Sequence, residues 1–262
     1  LGDFAVLNYT GSGDTTDRDL SLSGGATLGS SPEINNNGSG TLNWTSGTFT
    51  NTRSTDGELV LGGSFASADN TFGLNITDGL SSTTSVKVAD QGDWILSGVS
   101  TFTGDLTLRN TAEAIIGGSG QLGAGNYAGN VVMVNSSKFT YYSSADQVIS
   151  GVISGINTSN QVRHDGTGDL TLTGTNTYIG ATTIAGGGTL YINGDNSGAT
   201  GAVDVKFGST LGGTGTVGGA TTIDSTSFLS PGDGGIGTLT FDATVDVSSV
   251  GANSMLFDLA SP

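Results

Sequence analysis

A three-residue alternation, apolar–any–apolar, returns along the whole chain between residues that favour turns. It reads "LSL" at 20–22, "LNW" at 42–44, "LVL" at 59–61, "LNI" at 74–76, "VKV" at 86–88 and "LTL" at 106–108. It continues as "LTL" at 170–172, "LYI" at 190–192 and "VDV" at both 203–205 and 245–247. Successive side chains of an extended segment point to opposite faces, so the outer two residues of each triplet share one side. Each triplet is too short for a free-standing hairpin but long enough for one wall of a coil. Helical signals are nearly absent: there is no long run of period 3.6, and the strong helix formers Glu, Lys, Arg, Gln and Met are scarce. The pattern predicts an all-β solenoid, with residues 1–262 forming one continuous β-helix.

Internal similarity supports coils of one cross-section. "GDLTL" occurs at 104–108 and 168–172, "ATTI" at 181–184 and 220–223, and "GATL" at 25–28 is matched by "GSTL" at 208–211. The spacing between matches varies, as in a solenoid whose corners differ in length. In "GDLTLTGTNTYIGATTI" (168–184), Leu170 and Leu172 face one side and Thr171 and Thr173 the other, while Tyr178 and Ile179 begin the next wall. Leu170, Leu172, Ile184, Leu190 and Ile192 are the expected interior, with Tyr191 outside. Coils of about 20–25 residues would number about ten to thirteen. At about 4.8 Å per stacked strand, the rod would be on the order of 50–60 Å long.

Glycine makes up 46 of 262 residues, more than twice its usual share of about 7%. With 34% hydrophobic residues regularly interleaved, it reads as punctuation between strands rather than as disorder. The net charge is −16, and Asp outnumbers Glu by 20 to 3, which places the acids in turns. The seven basic residues stand singly, so no basic patch exists to hold nucleic acid, and an anionic membrane surface would repel the chain. The absence of Cys excludes disulfides and thiolate chemistry. No apolar run approaches the length of a transmembrane helix, and "MLFDLASP" stops within a strand-like pattern, as in a piece of a longer protein.

"GTGDLTLTGTNTYIGATTIAGGGTLYING" (166–194) closely resembles the autotransporter-associated β-strand repeat, also called the passenger-associated transport repeat. "GSTLGGTGTVGGATTIDSTSFLSPGDGGIGTLTF" (208–241) is similar to the segment that follows that repeat in bacterial surface proteins. The likeness is strongest over 166–241 and looser over 1–160, where "DRDLSLSGGATL" (17–28) and "DQVISGVISG" (146–155) carry it. The resemblance implies a right-handed parallel β-helix, exported to or beyond the outer surface of a Gram-negative-type cell, with no catalytic residues. No C-terminal membrane β-barrel sequence accompanies it.

The candidate chemistry is sparse. His164, the one histidine, adjoins Asp165, but neighbouring strand residues face opposite ways, so the pair is no dyad and His164 reads as a solvated loop residue. Asp14, Asp17 and Asp19, and Asp90 with Asp93, are acid groups of the kind that polysaccharide-active β-helix enzymes gather with a basic residue. Carboxylates in Gly-rich turns usually serve hydrogen bonds. The calcium-loop spacings are absent, the Asn-x-Ser/Thr sequons are too common in this composition to carry weight, and the Thr runs lack the single period of an ice-binding face. Trp44, Trp94, Tyr141, Tyr142, Tyr178 and Tyr191 are candidates for a sugar-stacking platform, but Trp44 and Trp94 sit on strand patterns with apolar neighbours, where placement in the core or an end cap is commoner.

These observations favour a non-enzymatic structural or adhesive rod at the cell surface or in an extracellular matrix, needing no metal or cofactor. The alternatives are a polysaccharide lyase or hydrolase, or a glycan-binding module. A groove where at least two carboxylates and one Lys or Arg converge would favour the enzyme. Expected partners are a surface glycan, further repeats of the parent chain, or a second copy joined end to end through Leu256, Phe257 and Leu259. No nucleic acid and no membrane insertion are expected.

Overall fold

The computed structural model describes residues 1–24 and 31–257. The chain is a parallel β-solenoid with three walls, each contributing at most one short strand per coil. The only helical residues among those described form one 3₁₀ turn, Gly123–Gly125. The longest wall is an eleven-stranded parallel sheet running from Asp14–Thr16 to Val245–Asp246. A seven-stranded sheet begins at Val6–Tyr9 and stops at Ile153–Ser154. Its stack continues through the hydrogen bonds Thr177 N–H to Ile153 O and Asn176 N–H to Asp195 O, into a three-stranded sheet that starts at Asp195–Asn196. The third wall opens with Leu20–Leu22 on Phe49–Asn51 and closes as a six-stranded sheet from Asn126–Tyr127 to Phe228–Pro231.

The eleven strands make ten coil-to-coil steps. At about 4.8 Å each they span on the order of 50 Å. The steps range from 18 residues (Asp204 to Thr222) to 28 (Asp14 to Leu42), a wider range than the 20–25 expected from the repeats. Walls keep their length because strand register fixes it; the corners absorb the difference.

The core is a set of in-register columns. Leu170 stacks on Leu190, Leu211 and then Leu229, and Leu172 lies between Ile149 and Ile192. Leu170, Leu172, Ile184, Leu190 and Ile192 are all at most 1% exposed. Thr171 and Tyr191 are half-buried on the outer face and Thr173 is exposed. Burying one such aliphatic side chain is worth roughly 1.5–3 kcal/mol, repeated at every coil. Trp44 and Trp94 lie in this core, Trp44 tilted against Phe72.

Two predicted wall segments form no ladder strand. At 74–76, Leu74 and Ile76 point inward as the alternation requires, but Ile76 N–H donates to Ser100 Oγ (3.1 Å). A side chain thus replaces the strand partner. At 178–179, Tyr178 is buried and its hydroxyl bonds Thr182 Oγ1 (2.8 Å), anchoring a corner.

Two pairs of buried asparagines satisfy one another across coils, whereas the buried Arg53 guanidinium has no hydrogen-bond partner. Asn36 Nδ2 donates to Asn70 Oδ1 (2.6 Å), and Asn176 Nδ2 to Asn196 Oδ1 (2.7 Å), all four residues being buried. The aspartates do more than close local turns. Asp105 Oδ1 accepts the N–H of Asn130, Asp146 Oδ1 that of Asp169, and Asp169 Oδ1 that of Thr189. Each clips its coil to the next, where corner N–H groups lack ladder partners.

Candidate functional site: a groove on the eleven-stranded wall

Register places outward side chains of this wall in columns. Asp93 precedes Trp94, the partner of Ala114, and so lines up with Glu113, which pairs with Lys138. The middle column is Ile95, Ile115, Thr140 and Arg163. In the third, Gly117 pairs with Tyr142, and Asp165 follows in the next coil, directly after His164, the partner of Tyr141. Gly117 offers no side chain beside the Tyr142 ring, which leaves that ring 60% exposed. A concavity of about 340 Å³ lies here, with Ile95, Ile115, Tyr142, Glu113, Arg163 and Asp165 on its surface. A second of about 290 Å³ adjoins it and shares Tyr142 and Asp165.

The charges are held in fixed pairs. Arg163 binds Asp165 Oδ2 through Nε (2.9 Å) and Nη2 (2.6 Å). Glu113 accepts from Lys138 (3.3 Å) and from the buried Thr140 hydroxyl. Asp93 Oδ1 accepts the Glu113 N–H (2.8 Å). Burial, then the nearby Glu113 and Asp69 carboxylates, hold Asp93 above the usual carboxylate range against that hydrogen bond. Asp93 is not among the residues lining the groove. The groove therefore offers oriented acceptors, a planar cation and an aromatic face. Asp69 also lines it, its carboxyl held above the usual carboxylate range by burial and then by the nearby Glu113 carboxylate, against the pull of Lys138.

Three carboxylates, Asp69, Glu113 and Asp165, and an arginine converge here, the arrangement set out as the mark of an enzyme on this fold. The sequence singled out Asp93, but the converging residues come from three different coils, Asp69 from one, Glu113 from another and Arg163 with Asp165 from a third, and carry no linear motif. Asp14, Asp17 and Asp19 lie at the first coil, and Asp90 shares a concavity of about 400 Å³ with Glu33, Lys87 and Arg109, a second place where two carboxylates meet basic residues. Among the described residues no group of three His, Asp or Glu side chains is placed to hold a metal ion.

His164 is not a solvated loop residue. It lies in the strand Gln161–His164, is 1% exposed, and sits within an inward column between Ile116 and Tyr141 on one side and Ile184, Val205 and Ile223 on the other. Its Nε2 lies 3.1 Å from the Thr189 carbonyl oxygen and its ring tilts against Tyr141 at 5.8 Å. The inward phase of Val162 two residues earlier was the signal available for this placement. Burial lowers the imidazole's affinity for a proton below its ordinary value, though hydrogen bonding and the Asp169 and Asp165 carboxylates act the other way.

At the ends, Phe4, Val6 and Leu7 are exposed beside the unpaired edge of Val6–Tyr9, and Leu256 and Phe257 are exposed near the other end. Leu259, with Asp258 and Pro262, lies outside the described residues.

No family model matches the chain, and no solved structure matches it. A 111-residue stretch is 43% identical to an adhesin of Brucella suis biovar 1 (strain 1330), the BmaC autotransporter. That stretch is 42% of this chain and 3% of the adhesin. No helix among the described residues is long and apolar enough to cross a membrane.

Proposed function

We propose that this chain is a length of the rod of an exported bacterial surface adhesin, lying outside the cell and acting by contact rather than catalysis. The observation that carries the reading is the eleven-stranded wall, continuous over ten coils, in a chain similar to an autotransporter adhesin. Backbone pairing from coil to coil makes a Gly- and Thr-rich chain a stiff spacer, and the outward aspartates keep it soluble. Labelling of intact producing cells with an antibody to this chain is expected to give a surface signal. A signal that appears only after permeabilisation would overturn the reading.

The polysaccharide-active alternative draws on the groove at Glu113, Arg163 and Asp165. Its mark would be release of reducing ends from a glycan by the purified chain, abolished in Glu113→Gln. The exposed edge at Phe4, Val6 and Leu7 and the apolar Leu256 and Phe257 support end-to-end contact with further coils of the parent chain or with another copy. Sedimentation of the wild type and of Leu256→Pro across concentrations tests it: larger species lost in the variant support self-assembly, and a monomer at all concentrations excludes it.

A further inference from the structure

The eleven-stranded wall carries one place where an exposed aromatic ring, an aliphatic floor and fixed planar hydrogen-bonding groups meet. Tyr142 is 60% exposed, whereas Tyr141, Tyr127 and Tyr178 are buried to within 2%. An exposed tyrosine normally lies flat on the surface; here register sets Gly117 on one side and Asp165 on the other, so one flank of the ring stays open. Ile95 and Ile115 form the floor of the adjoining concavity. Its rim holds Glu113, Arg163 and Asp165, each already oriented by a partner. Asp165 Oδ1 has no hydrogen-bond partner and is shielded from water, so Oδ2 with its Arg163 guanidinium is the part of the pair turned to the groove.

We infer that this groove binds a neutral oligosaccharide, with one sugar ring against Tyr142 and its hydroxyls shared between the Arg163–Asp165 pair and Glu113. The apolar face of a pyranose matches an aromatic or aliphatic surface, and its paired hydroxyls match the planar, bidentate geometry of carboxylate and guanidinium. A ligand in a concavity of this size keeps much of its surface in water, which suits one or two rings of a longer glycan. Charge decides which glycan. The chain carries −16 overall, so sulfated, sialylated or uronic acid polymers are repelled. Lys138 and Arg163 balance Glu113 and Asp165 but leave the Asp69 carboxylate on the lining, so a cationic peptide is the competing ligand. The inference deepens the adhesive reading and rests on it for biological meaning, though the groove can be tested alone.

The purified chain is applied to an immobilised panel of neutral, sialylated and sulfated oligosaccharides and to a Lys/Arg-rich peptide, and ligands are titrated by calorimetry. Neutral oligosaccharides are expected to bind. Tyr142→Ala should weaken them at least tenfold, Tyr142→Trp should retain them, and Tyr191→Ala, on another wall, should not matter. Thermal unfolding of Tyr142→Ala should match the wild type, since the ring is exposed. Binding only to anionic glycans, binding only to the peptide, no binding at all, or neutral binding indifferent to Tyr142→Ala each overturns the inference. Beads coated with the chain separate the two levels. Adhesion to cells that neutral glycans do not compete and Tyr142→Ala does not reduce keeps the adhesive rod and removes this groove from it. Calorimetric binding without bead adhesion keeps the groove and removes the adhesive role.

Discussion

The first coils and the later coils make the same walls with different amounts of chain. Steps along the eleven-stranded wall are 28 residues from Asp14 to Leu42 and again from Asn43 to Thr71. From Arg163 to Thr183, Asp204 and Thr222 they shorten to 20, 21 and 18. The tight coils nest glycines corner on corner: a Cβ on Gly201 would lie 1.9 Å from Gly180 O, and one on Gly219 would lie 1.8 Å from Gly201 O. The long coils spend their surplus on corners such as 63–69 and 77–83, which carry no wall strand. The lesson is that solenoid geometry is set by wall register, while coil length is free wherever a corner finds side-chain partners for its backbone.

The largest expected effect breaks a tight coil at its centre. Leu172→Asp places an unpaired carboxylate among Ile149, Ile192 and their neighbours and should cost roughly 3–5 kcal/mol. The equivalent change at the first coil, Leu7→Asp, should cost well under about 1 kcal/mol, because Leu7 is already 39% exposed. Chemical denaturation of both variants checks the contrast. Equal losses would show that the first coil is as tightly closed as the later ones.

Next comes the glycine column. Gly201→Ala forces a methyl into the Gly180 carbonyl and should destabilise by about 1–3 kcal/mol. Gly2→Ala, with nothing within 4 Å of the added atom, should leave the melting temperature unchanged. A wild-type melting temperature for Gly201→Ala would mean that tight coils can spread without penalty.

The asparagine pairs sharpen the comparison from the other side, since one lies in each region. Asn36→Ala and Asn176→Ala each strip a buried amide partner and leave backbone groups unpaired. The groups concerned are Gly38 N–H in the first case and Ile153 N–H in the second. Both should cost about 1–3 kcal/mol irrespective of coil length. A difference of more than about 1 kcal/mol between them, measured by denaturant midpoints, would tie corner energetics to coil length after all.

What could be read in advance follows the same divide. Alternation and turn residues were enough for the architecture, since an inward column needs only Leu170, Leu190, Leu211 and Leu229 at a repeating phase. The repeat likeness was strongest over 166–241, where short corners leave the period visible. Over the long coils, corner insertions hide the period, and "LNI" at 74–76 kept its inward phase while losing its ladder to Ser100. The groove was the least legible part. Tyr142 appeared only as one tyrosine among several, and its exposure depends on Gly117, a coil earlier. Contacts between columns depend on exact coil lengths, which the sequence leaves free.

The smallest effect is electrostatic and belongs to the boundary of the tight region. His164 lies between Tyr141 and the Ile184–Val205–Ile223 column as a buried imidazole whose folded-state pKa is pushed below its unfolded value of about 6.5. A group with a depressed basic pKa binds its proton more readily when unfolded. No stability is therefore lost above about pH 6.5, and loss accumulates as pH falls below that value toward the folded pKa. The facing carboxylates Asp165 and Asp169 soften the effect while they stay ionised. Asp224 titrates much lower: burial pulls it up, but hydrogen bonds from the Thr226 N–H and hydroxyl and the Phe207 N–H outweigh this and hold it at about 2. Its contribution persists above its unfolded pKa and fades only toward pH 2, so it leaves the window between pH 7.5 and 5.5 undisturbed. In that window the wild-type melting temperature should fall with pH, and His164→Phe, which keeps a ring against Tyr141, should flatten the slope. An unchanged slope in His164→Phe would remove His164 as the source of the acid sensitivity and would make the interior of the tight region electrostatically silent.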